Sequence, residues 1–526
     1  MHNLLTDNLL SWTTTTQHQQ GSLPDLLAAL ERDEVRGFAL LPPHIRQHWH
    51  AFLVQLGALA LDQAGLPVDE RCRDAKHWRK LLRGLTSKWP DDEPWQLVVS
   101  DCTQPAFLQP GLPKNGIKDL NNLITEADGL DLLITSKDHD IKVARAIAAN
   151  PEQWCYQLVI YQTASGFSGR DTYGITRMNG GTSSRPAVGL AWSMDPSKRF
   201  RRDLRVLVAN CEQVTADKGY QKQIGLCWLE PWDGNKGLAV NRLHPWFIEI
   251  CRRVRLDLDE DERIIARAGT SKTERIAGKE LNGDTGDPWT PVLIDAKGEA
   301  KSLTVQAPGW SYRLLAQVLT EQGTERRFAW GACLRPHATI DADHEPLLVV
   351  AQVLIRGQGK TEGHHERVVA VPTGLLQKLQ TEQRPQIWDL VHQRIEQAGT
   401  MQNACLKPAI AALLQGAAND LDLRSGQASR MLEPWLARFD RAVDAIFFES
   451  LWQDVLGVLD NTMDKETFEN KWVKDLFDIA LTVLDETIAA APVSSARTWK
   501  VQAAAMNRFH GACHKRYAHL YQTAPA

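Results

Sequence analysis

The sequence predicts an α+β protein: a large, irregular mixed N-terminal domain with β-hairpins, followed by a C-terminal antiparallel four-helix bundle. Three observations carry that expectation. The chain has 526 residues, too many for one ordinary core. Between Pro291 and Val371, short apolar runs alternate with glycine-bearing turns, the pattern of hairpins. After Pro372-Thr373-Gly374 the apolar residues recur at helical spacing. The expected division is therefore 1–372 and 373–526.

Taken in order, Ser22 precedes LPDLLAAL with Pro24 near a helix start, so a capped helix is expected there. Pro42-Pro43 opens a second helix, His44 to Gln63, whose AFLVQLGALAL portion is apolar nearly all round, as in a buried core helix. WQLVVSD reads as an extended segment. DLLITSKDHDIK passes from an apolar run into a short polar loop with Lys137, His139 and Lys142. A helix is expected over Pro151 to Gln162. PVLIDAKGEAKSLTV reads as a hairpin turning at Lys297-Gly298. PLLVVAQVLI and RVVAV read as a second, flanking the polar loop Arg356 to Glu366. In the last part, a helical stretch from Leu375 to Leu414 is followed by three more helices. Pro434 stands at an expected first helical position, before Trp435, Leu436, Phe439, Val443, Ile446, Phe447 and Leu451 on one face. Trp472, Leu476, Ile479 and Val483 repeat that spacing, and Trp499, Met506, Cys513 and Leu520 stand seven apart. Short connections between such helices give an antiparallel bundle.

Composition narrows the function classes. Apolar residues make up 43% and charged residues 24%, as in a globular protein, and the net charge of −4 excludes a basic nucleic-acid coat. Cationic character is local. One cluster is Arg497, Lys500, Arg508, Lys515 and Arg516, in a terminal stretch without acids. Another is Lys198, Arg199, Arg201, Arg202 and Arg205. Each is either a solvated helix face or an anion-binding surface. The 18 tryptophans are expected mostly in cores. Nine scattered cysteines without a C-x-x-C pair argue for a reducing compartment and against a zinc ribbon or disulfide framework. The first residues lack signal-peptide character, and no run reaches the roughly eighteen apolar residues of a membrane span, so a cytoplasmic protein without membrane contact is expected.

The stretch most suggestive of function is SGFSGRDTYGITRMNGG, Ser165 to Gly181. Its glycines permit positive φ and close approach by a partner. Exposed backbone N–H groups, with Arg170, Arg177 and Arg185 nearby, suit an acceptor-rich surface such as a nucleic-acid groove. The competing reading is a glycine-rich surface connection.

Catalytic motifs are weak by comparison. Gly359-Lys360-Thr361 resembles the end of a P-loop, but the required earlier glycine is Leu354, inside an apparent strand, and a strand rather than a helix follows. His364, His365 and Glu366 lack metal-ligand spacing, since neighbours on a strand face opposite ways. His44 and His48 are four apart without an evident third ligand. No nucleophile elbow and no distinctive carboxylate constellation appear. The expectation is no catalytic activity, no cofactor and no metal.

Several segments together resemble one family, CasA, the large subunit of type I-E Cascade. They are NLLTDNLL at the start, QPAFLQPG at 104–111, GFSG with the later NGGT at 179–182, DPWTPV at 287–292, GQGKTEGHHER and the terminal helices. Each is short, and their order along nearly the whole chain carries the resemblance. It implies a subunit of an RNA-guided DNA surveillance complex that reads the protospacer-adjacent motif in duplex DNA, starts strand opening and R-loop formation, and docks the helicase-nuclease that cuts. The implied partners are guide crRNA, double-stranded target DNA, the subunits CasB, CasC, CasD and CasE, and the recruited helicase-nuclease.

Matched residue by residue, the DNA-reading glycine loop is Gly166, Phe167, Ser168 and Gly169, with Arg170 beside it. The wedge hairpin is Gln358, Gly359, Lys360, Thr361 and Glu362; relatives carry Asn-Gln near its tip where this chain has Lys360-Thr361. The minor-groove lysine is Lys272 or Lys279, with Arg275 a further candidate. Lys137, His139 and Lys142 occupy the place of the loop that meets guide RNA and neighbouring subunits. The basic bundle residues would help hold the opened DNA. The alternative is an assembly scaffold of a ribonucleoprotein complex that does not itself read DNA.

Overall fold

The computed structural model describes residues 2–68, 72–133, 150–180, 185–323, 325–357, 360–416, 420–491 and 498–521, with the backbone only at 356, 357 and 360–362. It divides into two compact units. The first comprises Met1–Trp310 and Thr324–Thr373; the second comprises Ser311–Gly323 and Gly374–Ala526. The chain thus leaves the first unit at Ser311 for one short helix and returns, an excursion that falls inside the expected 1–372 segment.

The first unit is built around one helix. Strands β1 (Leu10–Thr13) and β2 (His18–Gly21) form a hairpin leading into helix α1 (Leu23–Glu31). Ser22 and Asp25 cap α1 reciprocally, Asp25 Oδ2 accepting from the Ser22 N–H at 3.0 Å, so two backbone groups that the first turn leaves open find partners. Helix α2 (Arg46–Ala64) is buried on every side from Gln47 to Leu61, as its apolar sequence requires, and ends on Gly65 in the left-handed region. Helix α3 (Ala75–Leu85) buries only Trp78, Leu81 and Leu82, and packs on α1 and α2. Helix α4 (Pro151–Thr163), capped by Asn150, also lies against α2, and so does α5 (Pro196–Lys218). Tryptophans fill this core: Trp49 stacks on Phe52, and Phe107 meets Phe52 and Trp228 edge-on.

The sheets are small. Strand β3 (Asn122–Ile124) joins β8 (Arg253–Leu258) and β9 (Ile264–Gly269) in the order β3-β9-β8, all antiparallel. Strand β4 (Ala187–Ala191) pairs with β14 (Leu347–Gly357), which pairs with β15 (Lys360–Val371). Strands β5 (Ile224–Leu226) and β7 (Leu243–Ile248) run parallel, as do β6 (Leu238–Ala239) and β10 (Ile276–Ala277). Strand β11 (Val292–Asp295) is flanked by β12 (Ala300–Ser302) and β13 (Arg326–Ala329). The expected hairpin at Lys297-Gly298 is present, with Gly298 at φ +81° in its turn.

Two expectations need correction. WQLVVSD is extended only in part: it begins at the end of the 3-10 turn Glu93–Trp95, and its pairing is limited to an isolated antiparallel bridge between Gln96 and Asn3, with Leu97 N–H donating to His2 O at 3.1 Å. The polar stretch Arg356 to Glu366 is mostly strand, because β14 and β15 continue to the pair Gly357–Lys360 with a register irregularity between Ile355 and Arg356. Alternation with polar residues here marks ladder positions and not a loop.

In the second unit, α6 (Tyr312–Thr320) is followed by α7 (Thr373–Lys378), whose first residue closes the first unit. A long helical run comprises α8 (Arg384–Thr400), a π-helical turn Met401–Leu406 and α9 (Lys407–Leu414). Then come α10 (Gly426–Leu459), α11 (Lys465–Ala490) and α12 (Thr498–Arg516). This is the expected four-helix bundle. Phe447 meets Trp472 edge-on, and Arg394 is ion-paired with Asp454 at 2.5 Å beneath it. Pro434 lies inside α10 and not at its start; Ser425 caps the helix two turns earlier. The seam of α12 is Val501, Ala505, Phe509 and Cys513, spaced by four, and Trp499 is 83% exposed, so of the residues seven apart only Cys513 lies in the seam.

Candidate nucleic-acid interface

The glycine loop leaves the end of α4 and folds back on itself. Its neck is closed by Ile175 N–H donating to Ser165 O at 2.9 Å, and its tip by Ser168 N–H donating to Thr172 O and Thr172 N–H to Gly169 O, each at 3.1 Å. Gly169 sits at φ +126° and Asp171 at φ +61°, which turns the chain through the tip. At the neck, a Cβ on Gly174 would lie 2.7 Å from the Gly166 carbonyl carbon, so only glycine fits. Outward stand Arg170, whose side chain is 94% exposed, and Phe167, 44% exposed with Tyr173 6.3 Å away. No described residue accepts from the N–H groups of Phe167, Gly169 and Arg170. The loop therefore offers donors, an exposed aromatic ring and one outward guanidinium, with the Asp171 carboxylate 3.8 Å from it.

The fold brings Lys272 to this loop. Ser271 N–H donates to Asp171 O at 2.9 Å, and the Tyr173 hydroxyl donates to Lys272 O at 3.2 Å. Lys272 itself is exposed. Lys279, also exposed, follows Gly278, which packs on Thr176 just past the loop neck. Arg275 is different: it is buried, and its guanidinium donates to the carbonyls of Cys227 and Glu230 at 2.7 and 2.6 Å, so it holds the core together.

Arg177 and Arg185 are likewise buried and do not supply surface charge. Asp287 Oδ2 lies 3.1 Å from Arg177 Nε and 2.5 Å from Arg185 Nε, and Arg177 also donates to Phe247 O while stacking 3.6 Å over the Phe247 ring. Asp287 belongs to DPWTPV, and its other oxygen accepts from the N–H groups of Trp289 and Thr290. That motif thus anchors the loop's far limb. In the α5 cluster, Arg202 is wholly buried and bound to Asp341, while Lys198, Arg201 and Arg205 remain partly exposed. Lys500, Arg508, Lys515 and Arg516 are exposed on α12, a helix without a single acid.

Residues 249–252, between β7 and β8, form the platform under the loop, and nothing in their sequence announces it. Glu249 Oε1 accepts from Thr176 N–H at 2.5 Å, with Arg177 Nη1 3.6 Å from its other oxygen. Burial pushes the Glu249 carboxyl up to about 7, against the charges of Arg177 and Arg185 and the Thr176 N–H, which pull it down. Because the folded value lies above the unfolded one, the associated stability is complete below about pH 4.5 and is lost as pH rises to 7. The loss amounts to about 3 kcal/mol at 1.36 kcal/mol per unit. In Glu249→Gln, whose amide oxygen still accepts from Thr176, urea midpoints measured from pH 5 to 8 should lose that downward slope. An unchanged slope would assign it elsewhere.

Gln358, Gly359, Lys137, His139, Lys142 and Arg497 lie outside the described residues. Lys360, Thr361 and Glu362 open β15, Lys360 opposite Gly357 and Thr361 opposite Arg356.

One cluster has metal-like composition: Asp62, Cys211 and His244 lie within 4.8 Å of one another. Its chemistry is that of a hydrogen-bonded pair. His244 Nδ1 accepts from Trp246 N–H at 3.0 Å, so the ring proton sits on Nε2, 3.0 Å from Asp62 Oδ2, and leaves no lone pair for a metal there. Lys222 Nζ, 3.1 Å from Asp62, supplies the neighbouring cation.

No family model and no curated protein matches the chain. Solved structures do. CasA from Thermus thermophilus matches with a TM-score of 0.66 at 15% identity, covering 98% of this chain and 99% of that one. The chain has the CasA fold. Cse1 from Acidimicrobium ferrooxidans, an alternative name for CasA, matches with a TM-score of 0.62 at 13% identity over 98% of both chains. A chain of a CRISPR RNA-guided surveillance complex matches with a TM-score of 0.59 at 13% identity over 97% of this chain and 99% of that one. Such coverage means that both units, and not the helical bundle alone, follow the CasA fold. No described helix is long and apolar enough to cross a membrane.

Proposed function

We propose that this chain is the non-catalytic large subunit of an RNA-guided DNA surveillance complex of the type I-E Cascade kind, reading the protospacer-adjacent motif through its glycine loop. The supporting observation is the exposed patch formed by the loop's open N–H groups, Arg170 and the adjoining Lys272, on a CasA fold. The minor groove presents acceptors at every base pair and a guanine amino group at G·C pairs only, so a donor-rich loop with glycine at its tip suits it. Such a reader tolerates related motifs, and fidelity is left to pairing between guide RNA and target strand.

Lys360 and Thr361 at the start of β15 belong in this reading to the wedge that begins strand separation, followed by R-loop formation. The cationic face of α12 retains the opened DNA. Cutting belongs to a helicase-nuclease recruited to the subunit, which docks in a complex with crRNA and the remaining Cascade subunits. A net charge of −4 with local cations fits brief scanning better than tight non-specific binding.

Gly169→Asp tests the reading. It places a carboxylate at the loop tip, where the neighbouring space is open, although an L-residue at this φ is strained. In the assembled complex, electrophoretic shifts should show motif-dependent target binding weakened about tenfold or more, the scale of one repelled charged contact, with assembly intact. Normal motif-dependent binding would remove the loop from DNA reading. Equal wild-type binding to targets with and without the motif would leave the chain an assembly scaffold.

A further inference from the structure

We propose that Arg252 is a positioning residue for DNA reading: a clamp that closes the neck of the glycine loop from below without touching nucleic acid. This rests on the reading of the loop given above. The Arg252 guanidinium donates through Nη2 to Gly166 O at 2.6 Å and through Nη1 to Tyr173 O, one carbonyl from each limb of the loop. Between those carbonyls, Gly174 packs its α-carbon on the Gly166 peptide with no room for a Cβ. A planar fork reaches both limbs at once; an ammonium is a single point and does not.

The clamp is itself held. Gln162, fully buried near the end of α4, accepts from the Arg252 N–H at 2.8 Å and donates to the Arg252 carbonyl at 3.0 Å. It also accepts from Cys251 N–H and donates to Leu108 O. The helix from which the loop departs, the β7–β8 connection and the loop neck therefore form one hydrogen-bonded unit. Among the described residues no carboxylate pairs with Arg252, so carbonyl oxygens alone compensate its buried charge. A cation thus sits beneath the loop, where it strengthens the attraction of the outward N–H groups for acceptors and phosphates.

The test compares assembled complexes carrying wild-type chain, Arg252→Gln and Arg252→Lys. The readouts are amide hydrogen exchange of residues 166–174, and binding to a duplex whose motif the wild-type complex has selected from a pool randomised beside the target, against a scrambled duplex. Expected for Arg252→Gln is loop exchange faster by about tenfold or more with the rest of the chain unchanged, and motif discrimination reduced by a similar factor, as for loss of a charge-assisted bond. Arg252→Lys, keeping the charge and holding one limb, should fall between. Unaltered loop exchange in both variants overturns the clamp. Exchange rising uniformly along the chain, with discrimination intact, makes Arg252 a general stability residue and also overturns it. Faster exchange confined to the loop, with discrimination intact, overturns the positioning role by removing the loop from DNA reading.

Discussion

Arg202→Met is expected to lower the stability of the first unit by about 3–5 kcal/mol, the cost of stripping one partner from a buried ion pair. Arg202 sits on α5 with no solvent exposure. Its Nε and Nη2 bind Asp341 at 2.8 and 3.0 Å, and its remaining N–H groups donate to the carbonyls of Leu190, Cys333 and Arg335. One side chain therefore ties α5 to β4 and to the segment around residues 333–341. Methionine fills much of the volume but leaves three carbonyls without a donor and Asp341 with only Trp192 Nε1–H and His337 N–H. Burial by itself would raise the Asp341 carboxyl; the bond and charge from Arg202, together with the bonds from His337 N–H and Trp192 Nε1–H, outweigh this and hold it below its ordinary value. The measurement is the urea midpoint of wild type, Arg202→Met, Asp341→Asn and the double variant. The double variant should cost less than the sum of the single ones by about 1–3 kcal/mol. Simple additivity would show that the two residues stabilise the unit independently.

The second large effect belongs to Gly174→Ala. A Cβ there meets three backbone atoms, the Gly166 carbonyl carbon at 2.7 Å, Phe167 N at 2.8 Å and Gly166 Cα at 2.9 Å, and backbone cannot swing away as a flexible side chain can. The two limbs must part, and the bond from Ile175 N–H to Ser165 O, with the two Arg252 bonds, is strained. The expected local cost is about 1–3 kcal/mol, typical of overpacking. Because the loop lies at the surface, global unfolding should hardly change. Faster amide exchange at 166–174 and loss of motif-dependent binding by the assembled complex are the readouts. Wild-type exchange in this variant would mean that the loop neck is wider than described.

Local rules make much of this fold readable. Ser22 and Pro24 mark α1, the continuous apolar run marks α2 as buried, Pro151 marks α4, and Lys297-Gly298 marks a turn. These features depend on neighbours within a few residues, which is what a sequence displays directly. The failures share the opposite cause. Pro434 reads as a helix start, whereas tolerance of an interior proline in α10 is decided by packing. The spacing of seven through Trp499 is as regular as the true seam, Val501-Ala505-Phe509-Cys513, and only the neighbouring helices choose between them. Arg177, Arg185, Arg202 and Arg275 look like surface cations; their burial depends on Asp287, on Asp341 and on backbone carbonyls distant in sequence. The loop itself is visible from its glycines. Its support is not, because Glu249 and Arg252 lie more than seventy residues further along the chain than the groups they hold.

The excursion at Ser311–Gly323 has a practical consequence. Tyr312 N–H donates to Asp444 Oδ1 at 2.7 Å, and Arg313 donates to Asp440 at 2.8 Å. A gene cut after codon 373 would strand this helix on the wrong product, and neither fragment would carry a full complement of partners. Splitting the protein cleanly calls for a transplant of residues 311–323 onto the helical half, with a short bridge sewn across the gap left behind.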